Sequence, residues 1–182
     1  MNKGLENMCQ ILKMACNGGQ IIVEVSASRE LTNCFFELYN FNFKTGEYES
    51  KPTLRQVISD MHISRDSGIY RFQSGVSSNC KLKCVISDGE KTLASRERFI
   101  GERHKVKVSK EQSPIGILYN LKSDINISRK LIFYKSPKSS TKINIPDDLR
   151  VGEMLTFVIR SNDIPPRFET YPEFNECLII ES

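Results

Sequence analysis

The side chains best suited to catalysis or metal binding are few in this sequence, and they are not grouped. The two histidines, His62 and His104, lie far apart, and neither belongs to a nucleophile or metal-binding motif. The chain has no Gly-x-Ser-x-Gly elbow and no Cys-x-x-Cys pair. We therefore expect no metal, no cofactor and no catalytic residue, although distant residues can still assemble a Ser–His–Asp arrangement.

The six cysteines raise the question of disulfides. Residues 1–19 carry Glu6, Gln10 and Lys13 among their apolar positions, so they lack the continuous apolar run of a signal peptide. No stretch approaches the roughly 20 apolar residues that span a bilayer. We expect a soluble cytoplasmic protein with no membrane span and with reduced thiols, because cytosolic cysteines are kept reduced.

Lysine and arginine cluster in two segments, residues 96–110 and 126–146, and the second contains no acidic residue. Clustered cations can hold phosphate groups. The candidate ligand-binding residues of the second segment are Arg129, Lys130, Lys135, Lys138 and Lys142. The alternative is a charged strand edge that discourages aggregation, which the alternation in Lys105-Val106-Lys107-Val108 favours for the first segment.

The overall charge balance is mild. The net charge of +4 comes from 26 basic and 22 acidic residues, and dedicated nucleic-acid binders usually show a stronger excess. This balance argues against a nucleic-acid partner.

Aromatic residues could stack on sugar rings, and residues 34–43, CFFELYNFNF, are rich in them. Burial is the simpler interpretation of this run, because both faces of the strand are apolar where it begins. A glycan-binding protein needs an exposed aromatic platform, and the tyrosines that would reveal one are Tyr39, Tyr119, Tyr134 and Tyr171.

The N-terminal residues 4–16 show helical spacing. Leu5, Met8, Cys9, Leu12 and Ala15 recur at intervals of three and four, which predicts one apolar helix face. Residues 17–19, Asn-Gly-Gly, would end the helix. Its apolar face could dock on the chain's own sheet or on a partner, including a second copy in an oligomer.

From residue 20 onward the apolar period changes to two, which predicts strands. The alternation over residues 80–87, followed by Asp88-Gly89 and a return strand from Thr92 to Ile100, predicts a hairpin with a type I′ turn. Roughly ten short strands at this spacing are typical of an all-β sandwich or a partly closed barrel.

The chain length suits one medium domain or two small ones. A weak boundary lies near residues 109–114. The predicted organisation is a helix over residues 1–19, a β-sandwich over 20–110, and a second β subdomain, or a continuation of the same sandwich, over 111–182.

Residues 66–72, DSGIYRF, resemble the Asp-x-Gly-x-Tyr-x-Cys signature of immunoglobulin-like domains. The resemblance implies a β-sandwich in which Asp66, Gly68 and Tyr70 form a structural corner. Phe72 stands where that family has its second cysteine, and the chain has no tryptophan, so the family's disulfide and core tryptophan are absent. The alternative role for Tyr70 is that of a core aromatic.

These features favour a non-catalytic protein-interaction or accessory module that uses exposed strands or loops. The alternative is a β domain that binds a glycan or a phosphate-bearing ligand in polysaccharide handling. A small β-fold enzyme is the third hypothesis.

Overall fold

The computed structural model describes residues 9–60, 64–66, 69–75, 79–135, 140–160 and 165–182. In these ranges the chain is built from β-strands, and its helical segments are three short 3₁₀ turns at Ile58–Asp60, Arg129–Leu131 and Pro172–Phe174. The all-β prediction is confirmed. No helix in these ranges is long and apolar enough to cross a bilayer.

The strands are β1 (Cys9–Asn17), β2 (Gln20–Ala27), β3 (Phe35–Asn42), β4 (Glu47–Tyr48), β5 (Leu54–Val57), β6 (Ser64–Asp66), β7 (Ile69–Gly75), β8 (Cys80–Ser87), β9 (Thr92–Ile100), β10 (His104–Ser113), β11 (Gly116–Ser123), β12 (Ile132–Lys135), β13 (Lys142–Asn144), β14 (Leu155–Ile159), β15 (Phe168–Thr170) and β16 (Leu178–Glu181).

The chain folds into two compact units. The first takes the described residues of Met1–Phe41 and Tyr48–Gly101, and the second takes those of Asn42–Glu47 and Glu102–Ser182. The chain passes from the first unit to the second at Phe41, returns at Tyr48 and passes again after Gly101, and β10 extends to Ser113, into the segment 109–114.

The first unit is a sandwich-like pair of sheets that share one core. One sheet has the order β1-β2-β7-β6, and the other has the order β4-β3-β8-β9 with β5 also paired to β3. Alternate residues of each strand point inward, because successive side chains of a strand face opposite sides. Val23 of β2, Phe72 of β7, and Phe36 of β3 are fully buried, and the rings of Phe36 and Phe72 lie 5.1 Å apart.

The predicted N-terminal helix is wrong from Cys9 onward, and its earlier residues lie outside the described ranges. Residues 9–17 form β1, which pairs with β2 with a register shift between Ile11 and Lys13. The extra residue of such a bulge lets Ile11 and Met14 both face the core although they are three positions apart. This spacing imitates a helical period. Self-association through a helix therefore cannot involve residues 9–16, because they form part of a strand.

The Asn-Gly-Gly sequence ends β1 in a different way from the one predicted. Asn17 pairs with Gln20, and Gly18 and Gly19 have φ angles of 58° and 77°. Two consecutive positive φ values are the requirement of a type I′ hairpin turn, so these glycines connect two strands rather than end a helix.

The predicted hairpin over residues 80–100 is confirmed, but its turn is not the predicted type I′. Ser87 pairs with Thr92, which leaves a loop of residues 88–91. The Asp88 carboxylate accepts hydrogen bonds from the main-chain N–H groups of Glu90 and Lys91 at 3.1 and 3.0 Å. The bond from Lys91, followed by that from Glu90, lowers the pKa of this carboxyl. These bonds and the main-chain bond from the Asp88 N–H to the Lys91 carbonyl at 3.2 Å close the loop, in which Gly89 alone has a positive φ.

The second unit also contains two sheets. One has the order β14-β11-β10-β16, in which β10 and β16 are parallel, and the other has the order β13-β12-β15. Its core is aromatic: the Tyr119 ring lies 5.0 Å from Phe168 in an edge arrangement, and Phe157 lies 5.9 Å from Phe168. Edge-to-face pairs of this kind add to the stability that burial provides.

Candidate functional site

Of the predicted phosphate-binding residues, the described structure brings only Lys135 and Lys142 to one cavity, and most of the set contact other groups of the protein. The Lys130 ammonium lies 3.5 Å from the Glu47 carboxylate, and Lys135 lies 3.4 Å from Glu169. Arg129 donates to the main-chain carbonyl of Pro146 at 3.2 Å. These contacts give the cations partners within the protein. Lys138 lies outside the described residues.

Lys142 has aromatic partners instead. Its ammonium lies 4.6 Å from the centre of the Phe133 ring and 4.7 Å from that of Tyr171, which is cation–π geometry. Lys142 pairs with Lys135 across β12 and β13, and both line a cavity of about 360 Å³. Glu169 also lines this cavity, so its carboxylate partly neutralises the positive charge of the two lysines.

The arginines of the first basic segment stabilise a sheet edge. β1 and β9 are edge strands of the two sheets of the first unit. Arg96 of β9 donates to the main-chain carbonyls of Ile11 and Leu12, and Arg98 donates to that of Met14. These bonds satisfy carbonyl groups that an edge strand otherwise leaves open to another chain.

His104 is buried and packs against an aromatic ring. Its ring lies 5.3 Å from Phe43, and its Nδ1 lies 3.7 Å from the Asp124 carboxylate. His62 lies outside the described residues. Within the described ranges, no group of three or more His, Cys, Asp or Glu side chains is arranged to hold a metal ion.

The predicted corner is described in part. Tyr70 is buried, and its hydroxyl accepts a hydrogen bond from the main-chain N–H of Leu31 at 3.4 Å. The backbone of Asp66 belongs to β6 and pairs with Ile69 of β7. Gly68 lies outside the described residues. The observed bond anchors Tyr70 to the loop between β2 and β3.

The four tyrosines proposed as a glycan platform are not exposed. Tyr119 is 2% exposed, and the other three are half-buried. The Lys83 ammonium lies 5.1 Å from the centre of the Tyr39 ring, and Tyr134 packs 5.5 Å from Phe168. These rings contact the protein itself, and they do not form an open stacking surface.

A larger cavity of about 700 Å³ lies in the second unit, and we call it the Lys110–Arg167 cavity. Val108, Tyr119 and Phe168 supply apolar lining, and Lys110 and Arg167 supply the charge. The Tyr119 hydroxyl donates to the main-chain carbonyl of Pro166 at 3.4 Å. Burial raises the pKa of this hydroxyl, so it stays a neutral donor.

The comparison with known proteins is negative. No family model and no curated protein matches this chain.

The second unit also has an unusual sheet edge at β14. β14, with the sequence LTFVI, pairs with β11 on one side and ends its sheet on the other within the described structure. It contains no charged residue. The other strands at sheet ends each contain at least one, and they are β1, β4, β6, β9, β13, β15 and β16.

Exposed apolar side chains gather at both ends of β14. Met154, directly before the strand, is 53% exposed, and Val151 is 55% exposed. At the other end lies Ile115, which is 62% exposed and precedes Gly116, the residue whose backbone lies against Ile159. Charged residues stand further out, at Glu153 and Arg160, so the strand itself is an uncharged edge of the kind that can serve as a template for pairing with another strand.

Neither the β14 edge nor the Lys110–Arg167 cavity was predicted from the sequence. The uncharged run over residues 155–159 is visible in the sequence, but its place at a sheet edge depends on the strand order. Lys110 and Arg167 come from separate segments, and only the packing of β10 near β15 brings them to one cavity.

Proposed function

We propose that this protein is a non-catalytic interaction module that binds a partner protein by strand addition at β14. In this mode an extended segment of the partner forms main-chain hydrogen bonds with the free edge of a sheet. The observation that supports the proposal is the uncharged edge of β14, which no other described strand covers, with exposed Ile115, Val151 and Met154 near its ends.

Natural proteins protect long sheet edges with lysine, proline, bulges or covering segments. β1 illustrates this protection, since it has a bulge and its carbonyls accept bonds from Arg96 and Arg98. β14 has neither lysine nor proline. The contrast supports a role in which β14 stays available for pairing.

For the fold of the first unit, we propose an immunoglobulin-like sandwich. The support is the DSGIYRF segment together with a buried Tyr70 at the start of β7 and two sheets around one core. Phe72 fills the core where that family places a cysteine. This assignment is compatible with an accessory role and implies no chemistry of its own.

The test of strand addition is a charged substitution on the outer face of β14. Val158 lies on the face opposite Phe157, whose ring packs towards Tyr119, so Val158→Lys places the new charge away from that aromatic cluster. The matched control is Ile143→Lys on β13, because Ile143 is also partly exposed on an edge strand. Partners are captured from the native source with each variant, and hydrogen exchange of the complex is then measured.

We expect the captured partner to slow exchange of the β14 main-chain amides. Val158→Lys should abolish capture, whereas Ile143→Lys should not. Equal capture by both variants, or protection confined to other strands, would exclude β14 as the binding edge.

A further inference from the structure

The Lys110–Arg167 cavity is lined by two cations that have no ion-pair partner among the described residues. Neither Lys110 nor Arg167 forms an ion pair with a carboxylate in the described part of the chain, and among the described residues no Asp or Glu side chain lines the cavity, whose lining also includes Ser182. The smaller cavity beside Lys135 differs, because Glu169 lies within it. The larger cavity therefore presents positive charge that is available to a ligand.

The position of each cation follows from the fold. Lys110 lies on the same face of β10 as the buried Val106, two pleats further along, and it pairs directly with Tyr119 of β11. Arg167 lies between Pro166, whose carbonyl accepts the Tyr119 hydroxyl bond, and Phe168, whose ring contacts Tyr119. Both cations therefore belong to segments that contact Tyr119.

The rest of the cavity wall is apolar. The ring centres of Tyr119 and Phe168 lie 5.0 Å apart, and Val108 of β10 and Ile180 of β16 add further apolar surface. A cavity of about 700 Å³ is within the usual range for small organic ligands, which bind in apolar pockets with a few polar groups that set orientation.

We propose that this cavity binds a small organic carboxylate whose body is an aromatic ring or an apolar chain. The planar fork of Arg167 matches the two oxygens of a carboxylate, and Lys110 adds a second positive charge. The aromatic lining receives the body of the ligand. Phosphate sites commonly use glycine-rich loops or helix N-termini, and no glycine lines this cavity.

This site is separate from the proposed strand-addition edge, so each proposal can fail without the other. The probes are benzoate, indole-3-acetate and octanoate, with phenyl phosphate and benzyl alcohol for comparison. Binding is measured by calorimetry and by NMR shifts of the Tyr119 and Phe168 rings. The full chain is used throughout.

We expect at least one carboxylate to bind saturably and to shift both rings, and benzyl alcohol to bind at least tenfold more weakly. Lys110→Gln and Arg167→Gln should each weaken carboxylate binding about tenfold, as expected for loss of a charge-assisted bond. The control is Lys107→Gln, which removes an exposed charge from the opposite face of β10 and should leave affinity unchanged.

Three results would overturn the proposal. The first is that none of the three carboxylates binds saturably. The second is that phenyl phosphate binds much more tightly than every carboxylate, which would make the cavity a phosphate site. The third is that Lys107→Gln weakens binding as much as the two cavity variants, which would show a general effect of net charge.

Discussion

The guanidinium of Arg96 donates a hydrogen bond to the main-chain carbonyl of Ile11, with 3.1 Å between Nη1 and the oxygen. The two residues belong to the edge strands of different sheets, β9 and β1. The bond therefore joins the two sheets at their margin and satisfies a carbonyl where the bulge disturbs the pairing of β1 with β2. A cation that the sequence offers as a phosphate ligand thus has a structural role.

Arg96→Ala should lower the free energy of unfolding by about 1 kcal/mol, the usual value for loss of a hydrogen bond near the surface. It should also increase aggregation, because the β1 edge loses its cover. Urea denaturation measures the first effect, and light scattering measures the second. The control is Arg103→Ala, which removes an exposed arginine outside any strand. Identical behaviour of the two variants would contradict the structural role.

Gly116 is a second position where the backbone limits the sequence. Its φ is 147°, and a Cβ there would lie 2.5 Å from the main-chain oxygen of Ile159 in β14. Gly116→Ala should therefore destabilise the protein by roughly 2 kcal/mol, through strain and displacement of β14. Gly75→Ala is the control, because a Cβ at Gly75 meets nothing within 4 Å.

Hydrogen exchange locates this effect. In Gly116→Ala, the amides of β11 and β14 should exchange faster than in the wild type, while those of β8 should be unchanged because β8 belongs to the first unit. A uniform increase over all strands would instead indicate a global loss of stability without a local origin at β14.

The Tyr70 hydroxyl gives a third prediction. It accepts the Leu31 main-chain N–H in a buried setting, so Tyr70→Phe leaves that donor unsatisfied and should cost about 1 kcal/mol of unfolding free energy. Thermal denaturation measures the loss. Tyr134→Phe removes a half-buried hydroxyl from a ring that also packs on an aromatic neighbour, and it should have little effect. If Tyr70→Phe were as stable as the wild type, the bond to Leu31 would not anchor Tyr70.

Local patterns predicted the strands where apolar alternation is continuous on both sides of a turn. The β8–β9 hairpin follows from alternation on both sides of Asp88-Gly89, and both strands were predicted at the correct positions. β1 was not, because its bulge places Ile11 and Met14 on one face at a spacing that a helix also produces. A sequence pattern cannot separate these two causes without knowledge of the partner strand.

The candidate sites depend on contacts between distant segments, and this is why the sequence did not predict them. The charge-rich run over residues 126–146 stood out, yet the acidic partners of Lys130 and Lys135 are Glu47 and Glu169, which lie outside it. Lys110 was noted only as part of a basic segment, and Arg167 stands alone in the sequence. Their common cavity emerges once β10, β11 and β15 are in place.

The six free cysteines differ in their accessibility, which gives a fourth prediction. Cys16 is exposed, whereas burial raises the pKa of the Cys9, Cys80 and Cys84 thiols. Since the thiolate is the reactive form, iodoacetamide should label Cys16 first at neutral pH. Cys84 should be labelled last, together with the other buried thiols, when the protein unfolds.

The raised pKa values also set the direction of the pH effect. Above pH 9.0, the ordinary thiol pKa, the Cys84 thiol ionises in the unfolded chain but stays protonated in the folded state. The free energy of unfolding therefore keeps its full value at neutral pH and falls as the pH rises above 9.0. Labelling of Cys84 should therefore increase in alkaline solution as unfolding becomes easier.

Mass spectrometry of peptides after timed labelling measures each site, and Cys16→Ser should remove the fast phase alone. If Cys84 reacted as fast as Cys16 at neutral pH, its burial between the sheets would be wrong; if Cys16 reacted only after reduction, its assignment as a free thiol would be wrong.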